Sequence, residues 1–142
     1  MAEIVLQNPR RYRSLESARL RVWLAALLAE LAPTADSFGV RFVNDAEMQQ
    51  LNQQFRGRDY PTDVLSFPGE KSGEGSHLGD VAIAVPTARR QAGENGNSGT
   101  REIRLLLLHG VLHCLGYDHE IDKGEMERLE SRLRRRWLNN VD

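Results

Sequence analysis

The chain has 142 residues, which suits a single domain over 1–142 with a real core. Apolar and charged contents of 40% and 27% are those of a soluble globular protein, and a formal net charge of -1 excludes the global basicity of a protein that coats nucleic acid. No apolar run approaches the ~20 residues of a membrane span, Met1–Leu6 lacks the basic flank and long apolar core of a signal peptide, and one Cys permits no internal disulfide.

These features predict a cytoplasmic chain with no membrane partner. Charge is nevertheless uneven. Arg10, Arg11, Arg13, Arg19 and Arg21 cluster near the start, and Arg132, Arg134, Arg135 and Arg136 near the end. Solvated helix faces account for most such runs. A phosphate-contacting patch arises only if the fold brings the clusters together beside the chemistry-bearing residues.

Glu3–Gln7 holds a short β-branched run and reads as a strand, ended by Asn8-Pro9. Ser14 is a good helix cap, and the segment to Leu31 reads as a helix. Leu20, Leu24, Leu27, Leu28 and Leu31 recur at spacings of three and four, which gives a core-facing stripe. Pro33 stops it. Val40–Val43 alternates like a strand. Asn44 or Asp45 can cap a second helix, 46–55, with Met48, Leu51 and Phe55 on one side.

Gly57 and Pro61 mark a loop. Val64–Phe67 and Gly79–Val85 read as strands joined by an exposed, Gly- and Ser-rich connection over 69–79, hence as an antiparallel pair. Pro86–Ala92 starts a helix, since Pro suits a first turn. A polar loop over 93–99 follows, with Ser98 or Thr100 available to cap the next helix. Near the end, Asp122 followed by Glu125 resembles a capping box with Asp in place of Ser or Thr. Met126, Leu129, Leu133 and Trp137 form the stripe of a last helix. The order β-α-β-α-β-β-α-α predicts an α/β domain of the α+β type, a small mixed sheet with helices packed on it.

The most informative stretch runs from Leu105 to His119. Leu105–Leu108, Val111, Leu112, Cys114 and Leu115 spread around nearly the whole helix, so this helix is buried. His109 and His113, four residues apart, lie on one face. Gly116 suits the left-handed residue that ends a helix, and the turn beyond it can bring His119 to the same point. Buried imidazoles must have their polar atoms satisfied. Core histidines bonded to backbone carbonyls are the plainer alternative, but three of the chain's four histidines at this spacing favour a metal.

Three imidazoles suit zinc and leave its fourth position open, the mark of a catalytic site. Such a metal lowers the pKa of bound water to about 7 and polarises an ester or amide oxygen. Cys114 projects about 100° away from His113 and reads as a small core residue rather than a ligand. The spacing His-x-x-x-His-x-x-Gly-x-x-His is that of metzincin proteases. Those enzymes carry a Glu general base directly after the first His; here that residue is Gly110, which instead suggests close packing.

Three blocks together resemble the YbeY family of bacterial endoribonucleases. They are Leu51-Asn52 through Phe55-Arg56-Gly57 with Asp59 and Pro61–Pro68; Leu78–Ile83; and His109–His119. The resemblance spans essentially the whole chain. It implies a metal-dependent endoribonuclease specific for single strands. The implied roles are ribosomal RNA processing, notably maturation of the small-subunit 3′ end, and ribosome quality control.

The implied partners are single-stranded ribosomal RNA, the small subunit and assembly proteins, not DNA. It implies His109, His113 and His119 as ligands of one Zn2+ or another divalent transition metal, and Arg56 as the essential arginine. Arg56 is a permanently charged planar donor able to grip a phosphate bidentately. Asp80, opening a strand, is a candidate partner for the far nitrogen of a metal-bound histidine. Thr62, Asp63 and Ser66 are expected to satisfy loop backbone rather than line the cleft, Asp118 to shape the turn, and His77 to be exposed. Two alternatives stand: a metzincin-like metallohydrolase or protease, and a non-catalytic ribosome-assembly factor with a structural metal.

Overall fold

Four β-branched and aromatic runs pair into one sheet, and helices cover it. The computed structural model describes residues 2–12, 16–69, 76–118 and 121–139. Among them the strands are β1 (Glu3–Gln7), β2 (Ser37–Val43), β3 (Val64–Pro68) and β4 (His77–Ala84). The α-helices are α1 (Ser17–Leu31), α2 (Asp45–Arg56), α3 (Val85–Asn95), α4 (Gly99–Cys114) and α5 (Glu125–Trp137), with a 3-10 turn at Pro9–Arg11.

The sheet order is β1-β2-β4-β3. β1, β2 and β4 are parallel, and β3 runs antiparallel to β4, with Val64 opposite Ile83 and Phe67 opposite Asp80. The predicted α/β class, mixed sheet and antiparallel pair are therefore present. Successive strand residues face opposite sides of a sheet, and each side has its own core. Phe38, Val40 and Phe42 of β2 and Val81 and Ile83 of β4 pack with the leucines of α1 and α4 and with Met126 and Leu133 of α5. On the other side Val43, Leu65, Ala82 and Ala84 pack with Met48 of α2.

The helix carrying the histidines buries more of its residues than any other described helix. Leu107, Leu108, Val111 and Leu112 are all fully buried, and each such side chain contributes roughly 1.5–3 kcal/mol. Ser98 caps this helix by accepting from the Arg101 N–H. Gly116, at φ 104°, reverses the chain after it, and the Tyr117 N–H returns to the Leu112 carbonyl at 3.1 Å.

Several boundaries differ from expectation, each for a local reason. β2 begins at Ser37, because Ser37 already pairs with Glu3 of β1 and His77 of β4. α3 continues through Gly93 to Asn95 instead of giving way to a loop: Ala88 and Ala92 are buried, and Gly96, at φ 69°, supplies the left-handed stop. Among the described residues there are five α-helices, one more than the order β-α-β-α-β-β-α-α, which omits the helix read at Pro86–Ala92. α5 starts at Glu125, yet Asp122 still caps it, accepting from the N–H groups of Gly124 at 2.8 Å and Met126 at 3.0 Å. The expected cap Ser14, residues 70–75 of the exposed connection, and His119 lie outside the described residues.

Candidate active site

The α-helical period places the two α4 histidines one turn apart, and the structure turns their rings toward each other. His109 Nε2 and His113 Nε2 are 3.0 Å apart. The ring centroids are separated by 4.6 Å with planes inclined at 76°. The other nitrogen of His109, Nδ1, faces Glu130 Oε2 of α5 at 3.3 Å. An ionised carboxylate can only accept, so it holds the proton on Nδ1 and leaves the Nε2 lone pair aimed at His113.

Two nitrogens bound to one tetrahedral zinc stand about 3.3 Å apart. The donor type, the spacing and the bracing carboxylate thus fit a divalent metal. Glu130 is itself buried and accepts from Arg134 Nη2 at 2.9 Å. Burial pushes its carboxyl up, but the hydrogen bonds with His109 and Arg134 and the Arg134 charge outweigh it and hold the carboxyl below its ordinary value.

The third expected ligand, His119, follows Asp118 in sequence and lies outside the described residues. Among the described residues no three His, Cys, Asp or Glu side chains are grouped as a metal site. Cys114 lies apart from the histidine pair, against β4: a Cβ at Gly79 would meet its Sγ at 2.6 Å. Burial, reinforced by the Asp80 charge, pushes the Cys114 thiol up to about 12. Such a thiol is neither a ready ligand nor a nucleophile.

The imidazoles open into a polar cleft of about 280 Å³. Arg56, Arg58 and Tyr60 line it from α2 and its following loop, Thr62, Asp63 and Ser66 from the approach to β3 and β3 itself, and Asp118 from the turn after α4. Arg56 reaches the cleft because α2 ends there. An Asn44–Glu47 capping box fixes the start of this helix, and Gly57, at φ 68°, ends it directly after Arg56. The loop is then tied back to the helix: buried Asn52 donates from Nδ2 to the Tyr60 carbonyl at 2.8 Å.

Arg56, His109 and His113 are therefore brought to one cleft from separate parts of the chain. Asp80 is not among them. Its carboxylate is exposed on β4 and meets His77 Nε2 at 2.9 Å, and the carboxylate beside His109 is Glu130. The strand register turns Asp80 away, opposite Gly39, which has no side chain to cover it. His77 is accordingly not a free surface residue, since its Nδ1 also meets Ser37 Oγ at 2.7 Å.

Thr62, Asp63 and Ser66, expected to serve the loop backbone, all line the cleft; the Asp63 carbonyl additionally accepts from the Ala84 N–H. Asp118 does both jobs, lining the cleft while its carbonyl accepts from Ile121 and Asp122. Gly110 packs closely, as expected: a Cβ there would meet Val81 Cγ2 at 2.7 Å and Ser66 Oγ at 3.2 Å. Of the two arginine clusters, Arg134 of the second reaches Glu130 beside His109, and Arg13 of the first lies outside the described residues. Arg11 pairs with Glu47 at the far end of α2 from Arg56, and Arg136 pairs with Glu30 of α1.

The sequence points to Asn52 only as part of the first family block, with no role, and does not point to Glu130. The available signal for Glu130 was a carboxylate four residues after Met126, on the buried side of an amphipathic helix, with Arg134 one turn on.

The profile of the family described as Endoribonuclease YbeY matches residues 6–138. A protein of that description from Solibacter usitatus is 52% identical over 97 residues, 68% of this chain and 63% of that one. One from Aquifex aeolicus is 42% identical over 117 residues, 82% and 77% of the two chains. The chain spans less than two thirds of some relatives: 63% of the Solibacter usitatus protein and 64% of one from Nautilia profundicola. The solution structure of TM1509 from Thermotoga maritima superposes with a TM-score of 0.64 at 30% identity, covering 99% of this chain and 94% of that one. With the profile running through every element from the end of β1 to the end of α5, this chain belongs to the endoribonuclease YbeY family.

Proposed function

We propose that this chain is a metal-dependent endoribonuclease that cuts single-stranded RNA, with ribosomal RNA of the small subunit as its substrate in the cytoplasm. The observation that carries the reading is the meeting of Arg56 with His109 and His113 on one polar cleft. Family membership supports RNA as the class of substrate.

His109 and His113 would hold the metal through Nε2, with His119 proposed as the third ligand from the family motif. A bound zinc would supply Lewis-acid catalysis there. Glu130 holds the Nδ1 proton of His109 and so keeps Nε2 available. Arg56 grips the scissile phosphate through two N–H donors and stabilises the negative charge that grows on it during transfer. Arg58, on the same wall, adds a second cation for the neighbouring phosphate. The buried base of the cleft, formed by Leu65 and Ser66, limits the water that competes for these donors.

A peptidase reading has the histidine spacing but not the base. Position 110 lies against Val81 and Ser66, with no room for a glutamate. The test is zinc stoichiometry and cleavage of a labelled single-stranded ribosomal RNA fragment, with peptides alongside, for wild type and His113→Ala. The expected result is about one zinc per chain and RNA cleavage in wild type, both lost in the variant. Stoichiometric zinc in His113→Ala, or peptide cleavage without RNA cleavage, would overturn the assignment.

A further inference from the structure

The loop between α2 and β3 presents an aromatic residue that the fold does not need. Tyr60 is 49% exposed and lines the same cleft as Arg56, His109 and His113. Among the described residues it belongs to neither apolar cluster. A side chain left in water by a loop is ordinarily free to wander, yet this one is fastened.

Asn52, only 2% exposed, donates to the Tyr60 carbonyl at 2.8 Å. Gln49 Nε2 holds Asp59 Oδ1 at 3.0 Å, and the Arg58 N–H returns to the Asn52 carbonyl at 3.4 Å. Arg58 Nη1 donates to the Tyr60 hydroxyl at 3.2 Å. Pro61 follows and restricts the backbone further. A buried asparagine is thus used to fix the backbone of an exposed ring, beside two arginines, at the wall of the polar cleft that holds the histidines.

We infer that Tyr60 is a substrate-contacting, specificity-determining residue: an unpaired nucleobase next to the phosphate held by Arg56 stacks on its ring. The inference rests on the reading of the cleft as a single-stranded RNA site. Every base has a π-face, and stacking on an aromatic side chain contributes ~1–3 kcal/mol per base. A ring already held in place loses little entropy on binding. A base inside a duplex is stacked on its neighbours and cannot reach the platform, so Tyr60 also gives the cleft a physical reason to reject paired RNA. Arg58 orients the ring through its hydroxyl and leaves its remaining donors for backbone phosphate.

The test uses the metal-loaded full chain as wild type, Tyr60→Ala and Tyr60→Phe. Short single-stranded RNAs carry 2-aminopurine at successive positions, with fluorescence read within the first turnover and KM and kcat measured on the same RNAs. Wild type and Tyr60→Phe should quench the probe at one position. Tyr60→Ala should lose that quenching and raise KM about 5- to 150-fold, more than it lowers kcat, with zinc content unchanged. Tyr60→Ala that quenches and binds like wild type would overturn the stacking role alone. So would Tyr60→Phe as impaired as Tyr60→Ala, which would make the hydroxyl contact structural. Wild type that binds no single-stranded RNA would overturn the reading of the cleft and this role with it.

Discussion

Glu130 Oε2 of α5 stands 3.3 Å from His109 Nδ1 of α4, so the last helix of the chain fixes the tautomer of a histidine on the central one. Removing such a bracing partner typically costs 10- to 100-fold in metal affinity. Glu130→Gln should therefore bind zinc at least about 10-fold more weakly than wild type in competition with a chromophoric chelator. Unchanged affinity, with the helix content intact, would mean that Glu130 serves only to dock α5.

Gly110 allows α4 to lie directly on β4. The added methyl of Gly110→Ala meets Val81 Cγ2 at 2.7 Å and Cγ1 at 3.0 Å, and Val81 is fully buried and cannot swing aside. Overpacking of this kind costs ~1–3 kcal/mol, which outweighs or cancels the ~1 kcal/mol gained by replacing a helical Gly. Thermal denaturation should show Gly110→Ala melting below wild type, with Val81→Ala in the same chain relieving part of the loss. A variant that melts above wild type would show that the α4–β4 contact yields easily.

Acid should loosen the helix that delivers Arg56. The Asn44 backbone N–H, and then Arg11, hold the Glu47 carboxyl below its ordinary value against the opposing effect of burial. A carboxyl lowered in the folded state contributes stability that is present above its unfolded value of 4.5 and is lost as pH falls through the lower folded value. Glu47→Gln should be less stable at neutral pH and lose less stability than wild type between about pH 5 and about pH 3. Parallel stability curves for the two chains would contradict this.

Cys114 should be silent in the native protein. With its thiol pushed up to about 12 by burial and the Asp80 charge, almost no thiolate exists at neutral pH. A disulfide reagent should label it only after unfolding, at the rate of global opening. Fast labelling of the folded chain would contradict its placement beneath β4.

The site was legible where it depended on periodicity and illegible where it depended on tertiary contact. His109 and His113 share a face because an α-helix repeats every 3.6 residues, and the leucines around them announce burial. Ser98, Asn44 and Gly116 announced helix ends through local chemistry. The bracing carboxylate did not announce itself. Asp80 and Glu130 are both acidic residues near apolar runs, and only the strand register of β4 and the docking of α5 decide that one faces His77 and the other His109.

Gly93 looked like a loop residue, but the buried Ala88 and Ala92 carry α3 past it. The lining roles of Thr62, Asp63 and Ser66 arise from how β3, and the loop leading into it, lie beside α4, which no local pattern encodes.

The most direct test of the account is cleavage of a labelled single-stranded ribosomal RNA fragment by wild type and Arg56→Ala, with zinc content measured on the same samples. Arg56 and the histidines meet only in the folded cleft, so phosphate handling and metal binding should separate. The account predicts equal zinc in both chains and cleavage by wild type alone. Equal cleavage by both chains, or zinc lost together with Arg56, would contradict it.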